Sequence, residues 1–591
     1  MSYLCLILSI GFFIATAYLA FSTSKLQKKY KSIKLSYILV AGAFLSVFSV
    51  MLFADYRAAY GKLAAIFLAL FHTIQVMLTG YDFGNLGEAF RLVGTHTWIT
   101  FFYLSFLLFA APICTFSFVL SFFESITSYF RYFTTRKNDI FVLSELSEKS
   151  LALAKSIREK FPTAAIAFMN VFSESDEAAY DLIEDAKEIK AIFFKKDITE
   201  AGLKLRGSDT RTVFFTLSEN ESVNLEASLN IIDKFNSRPK TEVYTFSTSK
   251  EGELLLDSVE HGVMKVRRIN EDRSLAHSII YNSLITEHVT VRKDKKIIST
   301  LIVGFGGYGT EIAKALLWCG QLPGYDLEIN VIDKENAEAR FQSECPEIIS
   351  LNGNEQFGEA RYNLKFFNEV DIKTYRLHEI VSTLTNTSVV YVSLGNDELN
   401  IETAINLRIL FERIGLYPVI RAIVYSDIKY KILETRNLVN YTGDSYDIEI
   451  IGNISSRFSY NSIINEELEE LALNCHLSWA KSPDDTPEKW EVKKEKAIKE
   501  FEKSEYCRNS SMATAIHDKY RKAEHLSGET ASITEHMRWC AYMRTEGYIF
   551  SGSRDKSSRN DRAKMHHNLH KSQLLDDATI RIDERIVNTT C

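Results

Sequence analysis

Thr300-Leu-Ile-Val-Gly-Phe-Gly-Gly-Tyr-Gly-Thr-Glu-Ile-Ala-Lys-Ala-Leu316 is the most informative stretch of this chain. Leu301, Ile302 and Val303 predict a buried strand, the glycines a tight turn, and the residues from about Thr310 onward a helix. Gly304, Gly306 and Gly309 stand at G-x-G-x-x-G spacing. In that pattern the first glycine makes the turn, the second lets backbone approach a pyrophosphate, and the third lets helix and strand pack closely. The helix N-terminus then faces the phosphates. A second apolar strand, 327–332, leads into Asp333, where a carboxylate meets ribose hydroxyls. Gly304, Gly306, Gly309, Thr310 and Asp333 are therefore candidate cofactor residues, for NAD(H) or another adenine nucleotide. The competing reading is a nucleotide fold that has lost its ligand.

At 591 residues the chain is too long for one core and suggests three or more units. A net charge of -7 argues against a general nucleic-acid surface. The eight cysteines form no C-x-x-C, which fits reduced thiols and argues against a disulfide scaffold or a metal knuckle. No metal is expected.

The first 137 residues read as a membrane block. Apolar segments at 3–21, 36–53 and 98–123 are long enough to span a bilayer, and a shorter one at 63–78 is either re-entrant or a fourth span. A signal peptide is the alternative for 3–21, but no basic n-region precedes it. Five lysines between Lys25 and Lys34, and Arg131, Arg136 and Lys137 after the last segment, are expected inside. Three crossings satisfy both clusters, placing residues 138–591 in the cytoplasm of an inner-membrane protein; four do not. Leu78-Thr-Gly-Tyr-Asp-Phe-Gly84 faintly resembles a potassium-channel filter, although an Asp interrupts the run. A plain anchoring or oligomerising helix is the other reading.

Residues 138–295 alternate strand-like and helix-like patterns: 140–143, 164–169, 191–194, 212–217 and 242–246 as strands, with a helix from Ser147 to Lys160. The expected fold is a doubly wound parallel sheet. Its first turn, Leu143-Ser-Glu-Leu-Ser-Glu-Lys-Ser150, has no glycine, so a structural or dimerising Rossmann-like unit is expected, with Ser147 as a helix N-cap. Residues 296–463 begin the same alternation again, with strands at 363–367, 388–394, 419–424 and 446–451. Gly395-Asn-Asp397 turns at a strand's carboxyl end, where ligands lie in open α/β sheets, and makes Gly395 a further candidate. Asp371 is either an adenine contact or a helix cap.

The two alternations, the glycine loop with Asp333 and the membrane block upstream resemble the tandem RCK (TrkA-N-like) domains of potassium channels and transporters. The resemblance covers about 138–463. It implies that nucleotide binding changes the angle between paired domains and pulls on the membrane part.

Residues 464–591 shift to helical, charged sequence and are expected to form a linker and a small α-helical domain. Glu535-His-Met-Arg538-Trp539, Gly547-Tyr548 and His567-Asn-Leu-His-Lys-Ser-Gln-Leu574 resemble the RyR domain, a helical module of ryanodine receptors also found in bacterial proteins. Tyr548 stands where Trp is usual. Such modules joined to RCK-like domains resemble predicted effectors of nucleotide-signalled antiviral defence. Arg508, Arg538 and His536 could hold a phosphate while Trp539 or Tyr548 stacks on a base. The bland alternative is a core Trp539 and an i,i+3 Glu535–Arg538 pair. His566, His567 and His570 are expected at the surface.

No nucleophile–base pair or paired-carboxylate site stands out. The expectation is a non-enzymatic, homo-oligomeric sensor in the lipid bilayer, responding to a small nucleotide. A nucleotide-gated potassium channel or transport regulator and an NAD(P)-dependent enzyme are the alternatives.

Overall fold

The structure is a computed structural model that describes residues 2–26, 31–58, 61–80, 98–171, 177–200, 209–292, 295–352, 362–435, 437–570 and 577–589. The chain divides into two compact units, residues 1–140 with 164–207, and residues 141–163 with 208–591.

The first unit opens with helices α1 (Ser2–Leu26), α2 (Lys31–Ala58), α3 (Lys62–Met77) and α4 (Trp98–Thr134). Two stretches, Tyr37–Asp55 in α2 and Trp98–Phe116 in α4, are long and apolar enough to cross a bilayer, with mean hydropathies of 2.3 and 2.0. Leu4–Tyr18 and Lys62–Met77 are apolar but shorter. Val47, Val50 and Met51 of α2 pack with Ala69 of α3 and Leu104, Leu107 and Ala111 of α4. Phe67, Phe102, Phe109 and Phe116 point outward, an apolar surface that hydrocarbon suits better than water. Inside this bundle His72 Nδ1 lies 2.9 Å from both carboxylate oxygens of Asp55. The filter-like motif falls mostly at 81–84, outside the described residues, as does part of the lysine cluster.

The α/β strands are β1 (Ile140–Leu143), β2 (Ala165–Phe168), β3 (Ile192–Phe193), β4 (Thr212–Thr216), β5 (Thr241–Phe246), β6 (Lys265–Ile269), β7 (Thr290–Arg292), β8 (Lys295–Val303), β9 (Tyr325–Ile332), β10 (Asn363–Phe367), β11 (Val389–Val392), β12 (Val419–Ile423) and β13 (Ile448–Ile451). In the first unit β2 and β3 pair in parallel. In the second, β1, β4, β5 and β6 lie side by side in that order. The other sheet has the order β10-β9-β8-β11-β12-β13, parallel throughout, with β7 antiparallel on β8. Numbered from β8, that order is 3-2-1-4-5-6, the doubly wound arrangement whose winding reverses between β8 and β11. Near-continuous apolar runs such as Leu301–Val303 and Val389–Val392 are fully buried, as strands covered on both faces must be.

Most expected strands occur within a residue or two of their anticipated limits. The first alternation, however, does not stop at Phe246. It continues through β6 and the helix Glu271–Asn282, which Asn270 caps by accepting from the Arg273 N–H. The charges of Lys265, Arg267 and Arg268 disguise β6; their partners Glu469, Glu502 and Glu505 lie far along the chain. Ser147 caps its helix in a reciprocal box with Ser150, as expected.

Two features relate the halves of this second unit. Asn224 accepts from the Ser218 N–H and donates to the Phe246 carbonyl, joining the ends of β4 and β5. Asn400 does the same between Leu394 and Ile423, at the ends of β11 and β12. Each lies four residues beyond the helix N-cap, Asn220 or Asn396. In addition, the helix after each sixth strand sits on the opposite half. Glu271–Asn282 packs on the glycine-loop helix Gly307–Cys319, with His277 edge-on to Trp318 at 5.6 Å. Ile454–Arg457 and Tyr460–Ile463 pack on Glu148–Lys160, where the Tyr460 ring lies 5.2 Å from that of Phe161.

C-terminal helices Glu466–Ala480, Glu505–Ala523 and Gly528–Thr545 share a continuous core with the glycine-loop helix through Trp318, Ile516, Tyr520 and Tyr542. Cys319, Cys345, Cys475 and Cys540 are buried free thiols. Burial pushes Cys345 and Cys475 up to about 12. At about pH 8 Cys319, Cys345 and Cys475 should not react with a thiol-disulfide reagent until the protein unfolds, because burial disfavours the thiolate, which is the reactive form. Rapid labelling of any of them in the native protein would contradict this packing.

Candidate functional site

Each glycine of the loop answers to a different constraint. Gly304 has φ +92°, and a Cβ there would lie 2.4 Å from the Ser393 carbonyl oxygen. A Cβ on Gly309 would lie 2.1 Å from the Gly304 carbonyl oxygen. These two positions are closed by the fold itself. At Gly306 a Cβ would meet nothing within 4 Å among the described residues, so a side chain there would point into space that they leave open.

That space adjoins a cleft of about 700 Å³ at the carboxyl ends of β8 to β11, lined by Gly304, Gly306, Asp333, Asp371 and Gly395 among others. It occupies the point where the sheet order reverses, the usual ligand position in such sheets. The helix Gly307–Cys319 opens onto it with no side-chain cap at Gly306. Its first-turn N–H groups have no intrahelical acceptor, the arrangement by which a helix start can bind an anion.

Asp333 is already engaged: Oδ2 accepts from the Phe305 N–H at 2.5 Å and Oδ1 from the Glu335 N–H at 2.8 Å. It therefore fixes the loop. A carboxylate offers about four lone-pair directions, so a ribose hydroxyl can still be accepted. Gly395 has φ +77° and opens to the cleft. Asp371 is not the helix cap: Thr374 precedes that helix, and Asp371 accepts from the Lys373 N–H in a local turn. The helix also begins at Gly307 rather than near Thr310, because Gly306 acts as its N-cap. Thr310 consequently sits one turn in, donates to the Phe305 carbonyl at 3.3 Å, and lines a neighbouring cavity of about 570 Å³ instead.

Two contributors were not foreseen. Arg340 donates to the Phe305 carbonyl and lines both spaces. Asp272, from the helix of the opposite half, brings its carboxylate against Gly307 and lies 3.4 Å from Arg457. Burial pushes its carboxyl up, against the pull of Arg457. Asp272 precedes the loop by more than thirty residues, and no local pattern marks it.

The C-terminal residues divide. Glu535, His536, Arg538 and Trp539 line a cavity of about 840 Å³, together with Trp479, Arg554, Lys556, His566, His567 and His570. Arg508 is outside it, donating to the Phe501 and Glu502 carbonyls at the end of the preceding helix. Tyr548 is also outside, under Lys564 at 5.8 Å. His566, His567 and His570 are buried, not on the surface, because the short strand Met565–His566 pairs with Ile549–Phe550 and folds the segment inward. His536 Nε2 lies 2.8 Å from the His570 carbonyl. Arg538 and Glu535 are each 1% exposed and paired at 2.7 Å. Glu500 and Asp583 are further acidic groups on the wall, Asp583 lying 3.5 Å from His536 Nδ1.

Comparison with protein-family models and with curated protein sequences returned no match.

Proposed function

We propose that the chain is a membrane-embedded nucleotide sensor whose glycine-loop cleft takes NAD(H) or another adenine nucleotide. One observation carries the reading: Gly304, Gly306, Asp333 and Gly395, chosen from scattered parts of the sequence, line one cleft at the sheet's reversal point. The recurring Asn224 and Asn400 bridges support a tandem RCK-like pair. The two long apolar helices support insertion in an inner membrane, with the α/β region cytoplasmic. The C-terminal cavity supports a RyR-like module as a second ligand pocket. Ligand binding would act on the membrane helices of a homo-oligomer, without catalysis, in a role such as antiviral defence.

Native mass spectrometry of the full-length protein in nanodiscs should detect a retained or added adenine nucleotide. Failure of every adenine nucleotide to bind at millimolar concentration sinks the proposal. A potassium-channel or transport regulator is the second reading, favoured by Thr79-Gly-Tyr81. Nucleotide-dependent, potassium-selective flux in liposomes would establish it. Turnover of a nicotinamide cofactor would instead point to an enzyme.

A further inference from the structure

Four apolar stretches make up the helical bundle of the first unit, Leu4–Tyr18, Tyr37–Asp55, Lys62–Met77 and Trp98–Phe116. In sequence they hold three acidic, basic or histidine residues: Lys62 at a helix start, Asp55 and His72. The last two meet, His72 Nδ1 standing 2.9 Å from either oxygen of the Asp55 carboxylate. Among the described residues no other ion-pair partner reaches Asp55, whose side chain is 7% exposed against 25% for His72. Elsewhere the bundle joins its helices through neutral groups, Ser9 donating to the Ser46 carbonyl and meeting the Tyr103 hydroxyl at 2.8 Å. In apolar surroundings an ionisable pair is a costlier tie than a hydroxyl, and inside a membrane such groups mark proton and ion pathways.

We infer that His72 and Asp55 form a proton-binding site that ties α3 to α2, so that the seating of α3 follows pH. This rests on the reading of these helices as membrane-inserted. Asp55 closes the apolar stretch of α2, so the pair lies towards one end of the span, within reach of interfacial water, and the ring is its more open member. The lysines expected inside precede α2, which puts this end at the outer face. At 16 residues α3 is about 24 Å long, short of a ~30 Å hydrocarbon core. A helix too short to span depends on lateral ties, and this one runs by way of Leu78 into Thr79 and Gly80 of the filter-like motif. The chemistry is one proton gained or lost. With the ring doubly protonated, Nδ1–H donates to the carboxylate and the pair carries no net charge. Release of the other ring proton to water leaves the carboxylate uncompensated among apolar side chains, a cost that falls on the closed arrangement of α2 and α3. The other titratable groups in the four stretches are Cys5 and Tyr18 on α1, Tyr37 on α2, Lys62 on α3, and Tyr103 and Cys114 on α4; Arg57 follows Asp55 by two residues in sequence. None of these is a carboxyl or an imidazole, and Tyr103 is held by Ser9.

Full-length protein in nanodiscs tests this by hydrogen exchange of the segment 62–77, corrected for the intrinsic rate. In wild type exchange should rise at least about tenfold between about pH 6 and about pH 9, as α3 opens from α2. Asp55→Asn and His72→Gln should each remove that dependence. Where a single variant does not fold, Asp55→Asn/His72→Gln supplies two neutral amides that can bond one another, and its exchange should likewise be independent of pH. In histidine-labelled protein, the ring-nitrogen resonance that His72→Gln removes should pass from the doubly to the singly protonated form over the same interval. Wild-type exchange that does not change with pH, a His72 ring whose protonation stays constant, or a dependence retained in the variants would each overturn the inference and leave the membrane reading intact. Release of the protein into the aqueous phase by an alkaline wash of membranes would sink the membrane reading and this inference with it.

Discussion

Gly306→Val should abolish nucleotide binding at the glycine loop, weakening it at least about 100-fold, while leaving the thermal midpoint within about 2 °C of wild type. The expectation follows from where the side chain would go. Among the described residues nothing lies within 4 Å of a Cβ at Gly306, so valine displaces none of their atoms and instead fills the approach to the helix N-terminus. Gly309→Ala should behave in the opposite way. Its Cβ would lie 2.1 Å from the Gly304 carbonyl oxygen, and relieving that overlap should cost about 1–3 kcal/mol. Differential scanning calorimetry and nucleotide titration on the same samples separate the two effects. A Gly306→Val protein that binds as wild type places the site elsewhere. A Gly309→Ala protein as stable as wild type shows that helix and strand do not approach as described.

Arg273→Gln should be the most destabilising polar substitution in the α/β region, by about 3 kcal/mol. Arg273 lies 2.8 Å from Glu311 of the glycine-loop helix and 3.1 Å from Glu546, beyond the helix Gly528–Thr545. Its removal leaves two largely buried carboxylates without their shared partner, with Lys314 at 3.5 Å from Glu311 as partial relief. The effect should depend on pH with a definite sign. In wild type, burial opposes ionisation of Glu311, but Arg273 and Lys314 prevail and hold its carboxyl down to about 2. A carboxyl depressed on folding contributes its full stability above the unfolded value of about 4.3, and loses it as pH falls towards 2. Without Arg273 that depression shrinks, so the gap between variant and wild type should be widest near neutrality and narrow below about pH 4. Denaturation midpoints across that range check it. A constant gap would show that Arg273 acts through packing alone.

The sequence made the glycine-loop half readable because its information is local. Leu301 to Val303 must be a strand, the glycine spacing must be a turn, and Asp333 ends the next strand. What escaped it came from distance. Asp272 reaches the loop from the opposite half, and β6 hides its apolar residues among arginines whose glutamate partners lie about 200 positions away. Local pattern cannot show a charge that will be neutralised only after folding. The same limit affected the C-terminal cavity: Glu535, His536, Arg538 and Trp539 share helix faces and were found together. Trp479, Arg554 and Lys556 come from other segments. The burial of His566, His567 and His570 follows from a two-residue strand pairing too short to register as a periodic signal.

The exchange of helices between the halves has a consequence for how such a chain can change. Each half supplies the cover for the other, so a protein cut at residue 295 would leave two fragments, each with an apolar seat stripped bare. The halves thus stand to one another as the protomers of an obligate pair, but a pair encoded once and held in a fixed ratio. Two identical protomers must accept every mutation twice; here each copy accumulates its own. Ser144, whose hydroxyl accepts the Leu217 N–H at 2.9 Å, closes the first half's turn where the second half keeps glycine. One copy can give up its ligand and remain indispensable as the other's lid.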